Sequence, residues 1–410
     1  MAARRSWAGA MMVDERARAR ILFGVSVAAF LGPFTQTVYA PSLVEIGVDL
    51  HASTLMVNLT ISVYSIIFAV SSFVWGPLAD SRGRRAVLLS GLALFVMGSL
   101  LCLLAPSYSL FLIGRIVQAC GISTGSVIAA TVIGDVYAPA QRQQAMSANQ
   151  LVVFLGPVFG PVIGGFVAGY LHWQWAFGVL AVAGIVVLLY DRAVVPETLH
   201  RTDPAGSITF ERVRSVVRDH AARAILLLGF GQFYGYYVFL VFLPLLVERF
   251  GLSTAQKGLA FVPLTAGILA GIGYAKRRLA HWPSERIIGI GSWAMAATVL
   301  VLWLLVFTGT LTLWLLAVAM MLFGVLLGAS LPAQSSLLVS LFSTNRATAM
   351  GIYNFTRFVG AASGPLLGAL VADAFGDAAM LASLGLFLLA AAYAIRRSTA
   401  QVGHRRGISS

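Results

Sequence analysis

Twelve apolar runs follow one another along the 410 residues of this chain, roughly 20–43, 54–77, 86–105, 108–134, 145–170, 174–195, 222–247, 256–275, 285–308, 311–338, 347–372 and 377–396. Each is close to or above the ~20 residues that a helix needs to cross a hydrocarbon core of ~30 Å. That repetition leaves few folds open. A β-barrel would show short alternating segments, whereas a helix closes its backbone hydrogen bonds within one continuous run. Composition agrees, with 59% hydrophobic and 10% charged residues where soluble domains carry about 25% charged. The chain reads as an all-α integral membrane protein with twelve transmembrane helices.

In a soluble protein the net charge of +13 would point to nucleic acid. Here the positions of the basic residues favour a membrane topology with no nucleic-acid partner. All 28 Lys and Arg except Arg115, Arg249, Lys257 and Arg357 fall in alternate polar segments: the arm with Arg4, Arg5, Arg16, Arg18 and Arg20, the turn Arg82–Arg85, Arg142, the central loop, Lys276–Arg278 with Arg286, Arg346 and the C-terminal tail. By the positive-inside rule these segments, and with them both termini, face the cytoplasm. The expected location is the inner, cytoplasmic membrane. The first run is too long for a signal-peptide core and no small-residue cleavage pattern follows it, which predicts an uncleaved signal anchor. Cys102 and Cys120 fall inside runs without metal-ligand or CxxC spacing and read as small core residues.

The longest polar segment, about 196–221, separates six runs from six, so residues 1–195 and 222–410 are expected to form two pseudo-symmetric six-helix bundles. The segment itself reads either as a solvated linker or, in part, as an amphipathic helix along the cytoplasmic surface. An internal repeat supports the division. With a shift of 204, ten of the 27 positions from 142 to 168 are identical, among them Arg142/Arg346, Met146/Met350, Gly156/Gly360, Gly160/Gly364, Pro161/Pro365 and Gly164/Gly368. Runs five and eleven are thus equivalent, and the repeat axis lies along the membrane normal, as in transporters built from parallel repeats.

Three stretches carry a mechanism. Gly76-Pro-Leu-Ala-Asp80-Ser-Arg82-Gly83-Arg84-Arg85 joins runs two and three; a positive-inside loop would explain its arginines but not its Gly-x-x-x-Asp-x-x-Gly-Arg-Arg frame. Arg115-Ile-Val-Gln118-Ala-Cys-Gly121 places a guanidinium and an amide inside run four, where a charge costs about 2.5–3.5 kcal/mol on insertion scales and usually faces a polar cavity. Gly156-Pro-Val-Phe-Gly160-Pro161-Val-Ile-Gly164-Gly165 puts glycines four apart, which flattens one helix face, and prolines that bend the helix.

These motifs, with Trp173-Gln-Trp175-Ala-Phe177 and Pro196-Glu197-Thr198-Leu199 around run six, resemble the signatures of the major facilitator superfamily, and in particular its twelve-helix drug:proton antiporter branch. The likeness covers essentially the whole chain. It implies two six-helix bundles around a central cavity and export by alternating access. It also implies a cytoplasmic latch built from Gly76, Asp80, Gly83, Arg84 and Arg85, with Asp135 able to pair with Arg84 or Arg85. Gly156, Gly160, Pro161, Gly164 and Gly165 match the antiporter signature of run five and are expected to act as a hinge. Ala119 stands where the run-four pattern usually has glycine.

The chain departs from that branch in run one, where Gln36 and Thr37 precede Tyr39-Ala-Pro41 and an acidic residue is common. By these boundaries every Asp and Glu lies in a loop or near a span end, so no midplane carboxylate is at hand to carry a proton. Two intramembrane arginines remain, Arg115 and Arg357, the second ~16 Å from the cytoplasmic end of run eleven at 1.5 Å per residue. They either bind an anionic or zwitterionic solute bidentately or bond to carbonyls and tyrosines. Further candidates for a substrate cavity are Gln36, Tyr39, Asn58, Tyr64, Gln118, Asn149, Gln150, Gln232, Tyr236, Tyr237 and Asn354, each equally a helix–helix contact.

The expected protein is a monomeric exporter in the lipid bilayer, taking a small-molecule substrate and exchanging it for protons, with no cofactor and no metal. The alternative is export of an endogenous anionic metabolite such as a metal chelator, held by Arg115 and Arg357. A receptor on a transporter fold would leave the latch and hinge motifs without a use. An enzyme would need a nucleophile–base pair, metal cluster or phosphate loop, and none is legible.

Overall fold

A computed structural model describes residues 15–199, 210–279, 282–342 and 346–405. The arm with Arg4 and Arg5, the stretch with Asp203, Pro204 and Gly206, and the end of the tail lie outside the described residues. Long helices account for the spans: α1 (Glu15–Thr37), α3 (Thr54–Arg82), α4 (Arg84–Leu103), α5 (Tyr108–Val136), α6 (Pro139–Tyr170), α7 (Gln174–Val194), α9 (His220–Glu248), α11 (Val262–Arg278), α12 (Ser284–Phe307), α13 (Leu313–Leu341) and α14 (Arg346–Arg405). Three short helices, α2 (Leu43–Asp49), α8 (Phe210–Arg218) and α10 (Thr254–Leu259), complete the order.

Among the described residues eleven helical stretches are long and apolar enough to cross a membrane. The last, Ala349–Ser398, runs 50 residues, and its Gly376, at φ 85°, interrupts it. A left-handed φ is accessible to glycine at no steric cost, so one apolar stretch becomes two, each long enough for a ~20-residue crossing. The chain is a multi-pass membrane protein. Its outward surface is apolar, with Trp314, Phe307 and Val182 at 82%, 69% and 63% exposure, as lipid contact demands.

Run one ends earlier than its hydropathy suggests. The α-helix stops at Thr37, and Ala40–Ser42 form a 3-10 turn leading into α2, because Pro41 supplies no N–H and disfavours helical geometry in the residue before it. The central segment contains α8, whose Val216 is fully buried in a cluster with Ala222, Ile225, Leu338 and Tyr353. Part of the segment is therefore a packed amphipathic helix.

The chain divides into two compact units, residues 1–52 with 63–205, and residues 53–62 with 206–410. In the first, α1 packs on α5, α6 and α7, and α4 on α5 and α7. In the second, α9 packs on α14, α11 on α13, and α12 on both α13 and α14.

Candidate functional site

Glycine brings α6 onto α1 at backbone distance. A Cβ added at Gly156 would lie 2.8 Å from the Phe34 nitrogen, one at Gly160 would strike the Thr37 hydroxyl, and one at Gly164 would land on the Val38 carbonyl. Pro161 and Gly165 lie buried in the same helix. Thr37 Oγ1 donates within its own helix to the Pro33 carbonyl oxygen at 3.1 Å, with the Gly156 carbonyl oxygen of α6 3.5 Å away. The second unit repeats the arrangement on α14 and α9: Cβ atoms at Gly360 and Gly364 would meet the carbonyl oxygens of Phe230 and Tyr234, and one at Gly368 the Phe242 ring at 3.0 Å.

The signature loop between α3 and α4 folds around Arg84. Its Nη1 donates to Asp80 Oδ1 at 2.5 Å and its Nε to Asp135 Oδ2 at 3.4 Å. Arg85 instead donates from Nη2 to the Arg192 carbonyl at 2.6 Å. A Cβ at Gly76 would meet nothing within 4 Å, so local packing does not require glycine there. Gly83 does carry a local requirement: its φ is 104°, and a Cβ would collide with the Glu197 carboxylate.

That carboxylate is a partner the sequence did not reveal. Glu197 Oε1 and Oε2 accept from the backbone N–H groups of Arg84, at 2.8 Å, and Arg85, at 3.2 Å, at the start of α4. Thr198 Oγ1 donates to Asp135 Oδ2 at 2.8 Å. The Pro-Glu-Thr-Leu stretch after α7 thus caps a helix over a hundred residues earlier, supplying negative charge where the helix presents free N–H groups. Glu197→Ala should lower stability by about 1 kcal/mol, within the range for loss of a helix cap; a thermal unfolding midpoint in detergent equal to wild type would refute the cap.

Inside the first unit Arg115 is fully enclosed. Its guanidinium carbon lies 4.2 Å from the Tyr64 ring centroid, 4.4 Å from that of Tyr39 and 5.8 Å from that of Phe177. Nη1 donates to Gln118 Oε1 at 2.6 Å and to the Thr35 carbonyl at 3.4 Å, and Nη2 to the Tyr39 hydroxyl at 3.3 Å. Gln118 passes the chain on to Ser99 Oγ at 2.8 Å, while Gln36 bonds separately to Ser65 Oγ at 2.8 Å. The Trp-x-Trp-x-Phe stretch divides its work. Phe177 closes the cage, Trp173 donates to Asp49 Oδ2 at 2.8 Å, and Trp175 is 53% exposed.

The second unit holds a different polar centre. Gln334 Nε2 donates to Gln232 Oε1 at 2.8 Å and to Ser330 Oγ at 2.7 Å, and Tyr353 donates to Gln334 Oε1 at 3.2 Å. One turn beyond Tyr353, the partly exposed Arg357 lies 3.9 Å from the Phe233 ring centroid and donates from Nη1 to Asn354 Oδ1 at 3.3 Å. Its buried Nε has no hydrogen-bond partner among the described residues. Gln232 and Tyr236 share a helix, but Tyr236 stacks edge-on with Tyr237, ring centroids 5.4 Å apart, and is not bonded to Gln232. Asn149 is buried with its Oδ1 unpartnered, as is Asn58 at its Nδ2, and Gln150 is exposed. Ser330, Gln334 and Phe233 were passed over in the sequence; Ser330 and Gln334, polar residues four apart within an apolar run, were a visible signal.

The sequence pattern of the Major Facilitator Superfamily matches residues 25–311. An uncharacterized transporter of Rickettsia bellii is 30% identical over 268 residues, 63% of this chain and 66% of that protein. Citrate exporter 1 of Aspergillus niger is 31% identical over 184 residues, 45% and 35% of the two chains. Multidrug resistance protein MdtM of Salmonella typhimurium is 27% identical over 248 residues, 58% and 59%. The chain thus spans just under two thirds of the first of these relatives and less of the other two. Among solved structures, a D-xylose–proton symporter superposes with a TM-score of 0.77 at 16% identity, covering 92% of this chain and 96% of that one. A bacterial homolog of the human lysosomal transporter Spinster gives 0.75 at 17%, covering 94% and 98%. At these identities the likeness speaks for the fold.

Proposed function

The chain belongs to the major facilitator superfamily, whose members are transporters and not enzymes, and from that premise we propose that it exports a small molecule from the cytoplasm by alternating access, in exchange for protons. The observation that carries the reading is the α6–α1 seam. A helix that carries Pro157 and Pro161 and sets glycines at 156, 160 and 164 against its neighbour's backbone presents a flat face on which two helices pack closely and can shift, and this supports a transporter that moves. Its sequence is the stretch that resembles the antiporter signature. The kinship with MdtM, named a multidrug resistance protein, supports a drug-like substrate. In this reading the protein works as a monomer in the inner membrane with both termini in the cytoplasm.

A second reading, export of an anionic metabolite, rests on Arg357. It is a partly exposed cation with one donor unengaged and a planar face already stacked, and a fork of this kind suits a carboxylate. The relative named as a citrate exporter supports the same choice. Arg115, enclosed by three aromatic rings, serves in both readings as an internal tie between helices.

Uptake into everted membrane vesicles tests the coupling. Accumulation should rise when the lumen is made more acidic than the bath and collapse when a protonophore dissipates the gradient. Accumulation indifferent to the gradient would favour uniport or exchange of solutes.

A further inference from the structure

Asp191 is the one Asp or Glu among the described residues whose two side-chain oxygens are both buried and both without a hydrogen-bond partner. It lies in the last turn of α7, fully enclosed, three residues or ~4.5 Å from the helix end. The carboxyl rests against the backbone of α1 in a notch that exists because residue 24 is glycine. A Cβ there would strike Asp191 Oδ1 and lie 3.1 Å from the Tyr190 ring.

Among the charged groups on the helices around it, Arg84, Arg85 and Arg142 bond elsewhere, and the buried Nε atoms of Arg18 and Arg85 have no hydrogen-bond partner among the described residues. On α1 the acidic and basic side chains are Glu15, Arg16, Arg18 and Arg20, and the carbonyl of Arg20 accepts from the Tyr190 hydroxyl at 3.4 Å. On α4, Arg84 holds Asp80 and Asp135, and Arg85 holds the carbonyl of Arg192, the neighbour of Asp191 on α7 itself. On α6, Arg142 donates to the Gly134 carbonyl at 2.5 Å. None of them bonds to or pairs with Asp191. An ionised carboxylate is tolerated in dry protein when donors or a counter-charge surround it; without them the group neutralises or the site opens to water.

We propose that Asp191 is a proton-binding site: its carboxyl carries a proton while α7 is seated on α1, and the proton passes to water when that seam opens. On closing, one oxygen takes a proton from water at that end of the helix. On opening, the O–H bond breaks, its electron pair stays on the carboxylate and the proton returns to the same water. Acid therefore favours the closed seam and alkali the open one. In the proposed topology this end is cytoplasmic, which gives the exporter a titrating group that its midplane lacks. The functional half of the inference rests on the transport reading; the protonation half does not.

Infrared spectroscopy of the full-length protein in lipid, near neutral pH and without substrate, reads the proton directly. A neutral-acid C=O stretching band is expected in wild type. It should vanish in Asp191→Asn, shrink in Gly24→Ala, where the added methyl wedges the carboxyl toward water, and persist in a variant of the exposed Asp373, Asp373→Asn. A spectrum without a band sensitive to Asp191→Asn overturns the site whatever the transport data. In proteoliposomes, export should slow as the cytoplasmic side is acidified, by at most ~10-fold per pH unit for one proton, and Asp191→Asn should flatten that profile. A band together with a flat wild-type profile overturns the gating role. A band with no transport of any offered solute upholds the site and counts against the transport reading.

Discussion

Gly164→Ala should abolish transport and lower the stability of the protein, although it adds a single methyl group. The new Cβ would fall on the Val38 carbonyl, and that oxygen belongs to a backbone held by helix α1 and the turn at Pro41, so it cannot swing aside as a side-chain tip could. Overpacking of this kind typically costs about 1–3 kcal/mol, and here relief requires α6 to lift from α1 along the face that carries Gly156 and Gly160. Gly289→Ala is the matched control, since a Cβ at Gly289 in α12 meets nothing within 4 Å, and it should leave stability unchanged or slightly raised. Thermal unfolding in detergent and vesicle export measure the pair. A Gly164→Ala protein with wild-type stability and export would show that α6 and α1 do not need their close contact.

Arg357→Ala carries the second large effect, and it depends on the solute. A charge-assisted hydrogen bond contributes about 1.5–3 kcal/mol, which corresponds to ~10–100-fold in affinity. Export of an anionic substrate should fall by that factor or beyond measurement, while export of neutral or cationic drugs should change a few-fold. Stability should fall only modestly, because Arg357 is partly exposed and its partners are the Phe233 and Tyr353 rings and the exposed Asn354. Arg357→Lys should recover part of the anion export, since it restores the charge but not the planar fork. Undiminished anion export by Arg357→Ala would remove this residue from the binding site.

The spans were legible because hydrocarbon imposes a rule that a sequence must show: an uninterrupted apolar run of sufficient length. Their ends were less so. The stop at Thr37 depended on Pro41, and the interruption at Gly376 on a single φ angle inside one unbroken apolar stretch. The signature loop gave away Asp80 and Arg84, four residues apart, and Asp135 was legible because it is a lone charge at the end of an apolar run. Glu197 was hidden for the opposite reason, since a contact between residues 84 and 197 leaves no local spacing to read. Asp191 was visible as a residue near a span end, but its enclosure depends on a glycine on another helix. The surroundings of Arg115 were open to two readings. Three aromatic residues brought together from runs one, two and six, at 39, 64 and 177, enclose it here, and helical periodicity within any one run does not encode that meeting.

The caged arginine also bears on how such a chain is made. A helix with an unshielded guanidinium inserts at a cost of about 2.5–3.5 kcal/mol, and α5 bears it at Arg115. Tyr39 and Tyr64 leave the ribosome before Arg115, and Phe233 before Arg357. Each cation therefore follows, in the order of synthesis, rings that cover it in the folded chain. Moving either arginine ahead of its aromatic partners, as in a circular permutant, should show up first as poor membrane insertion and degradation during synthesis.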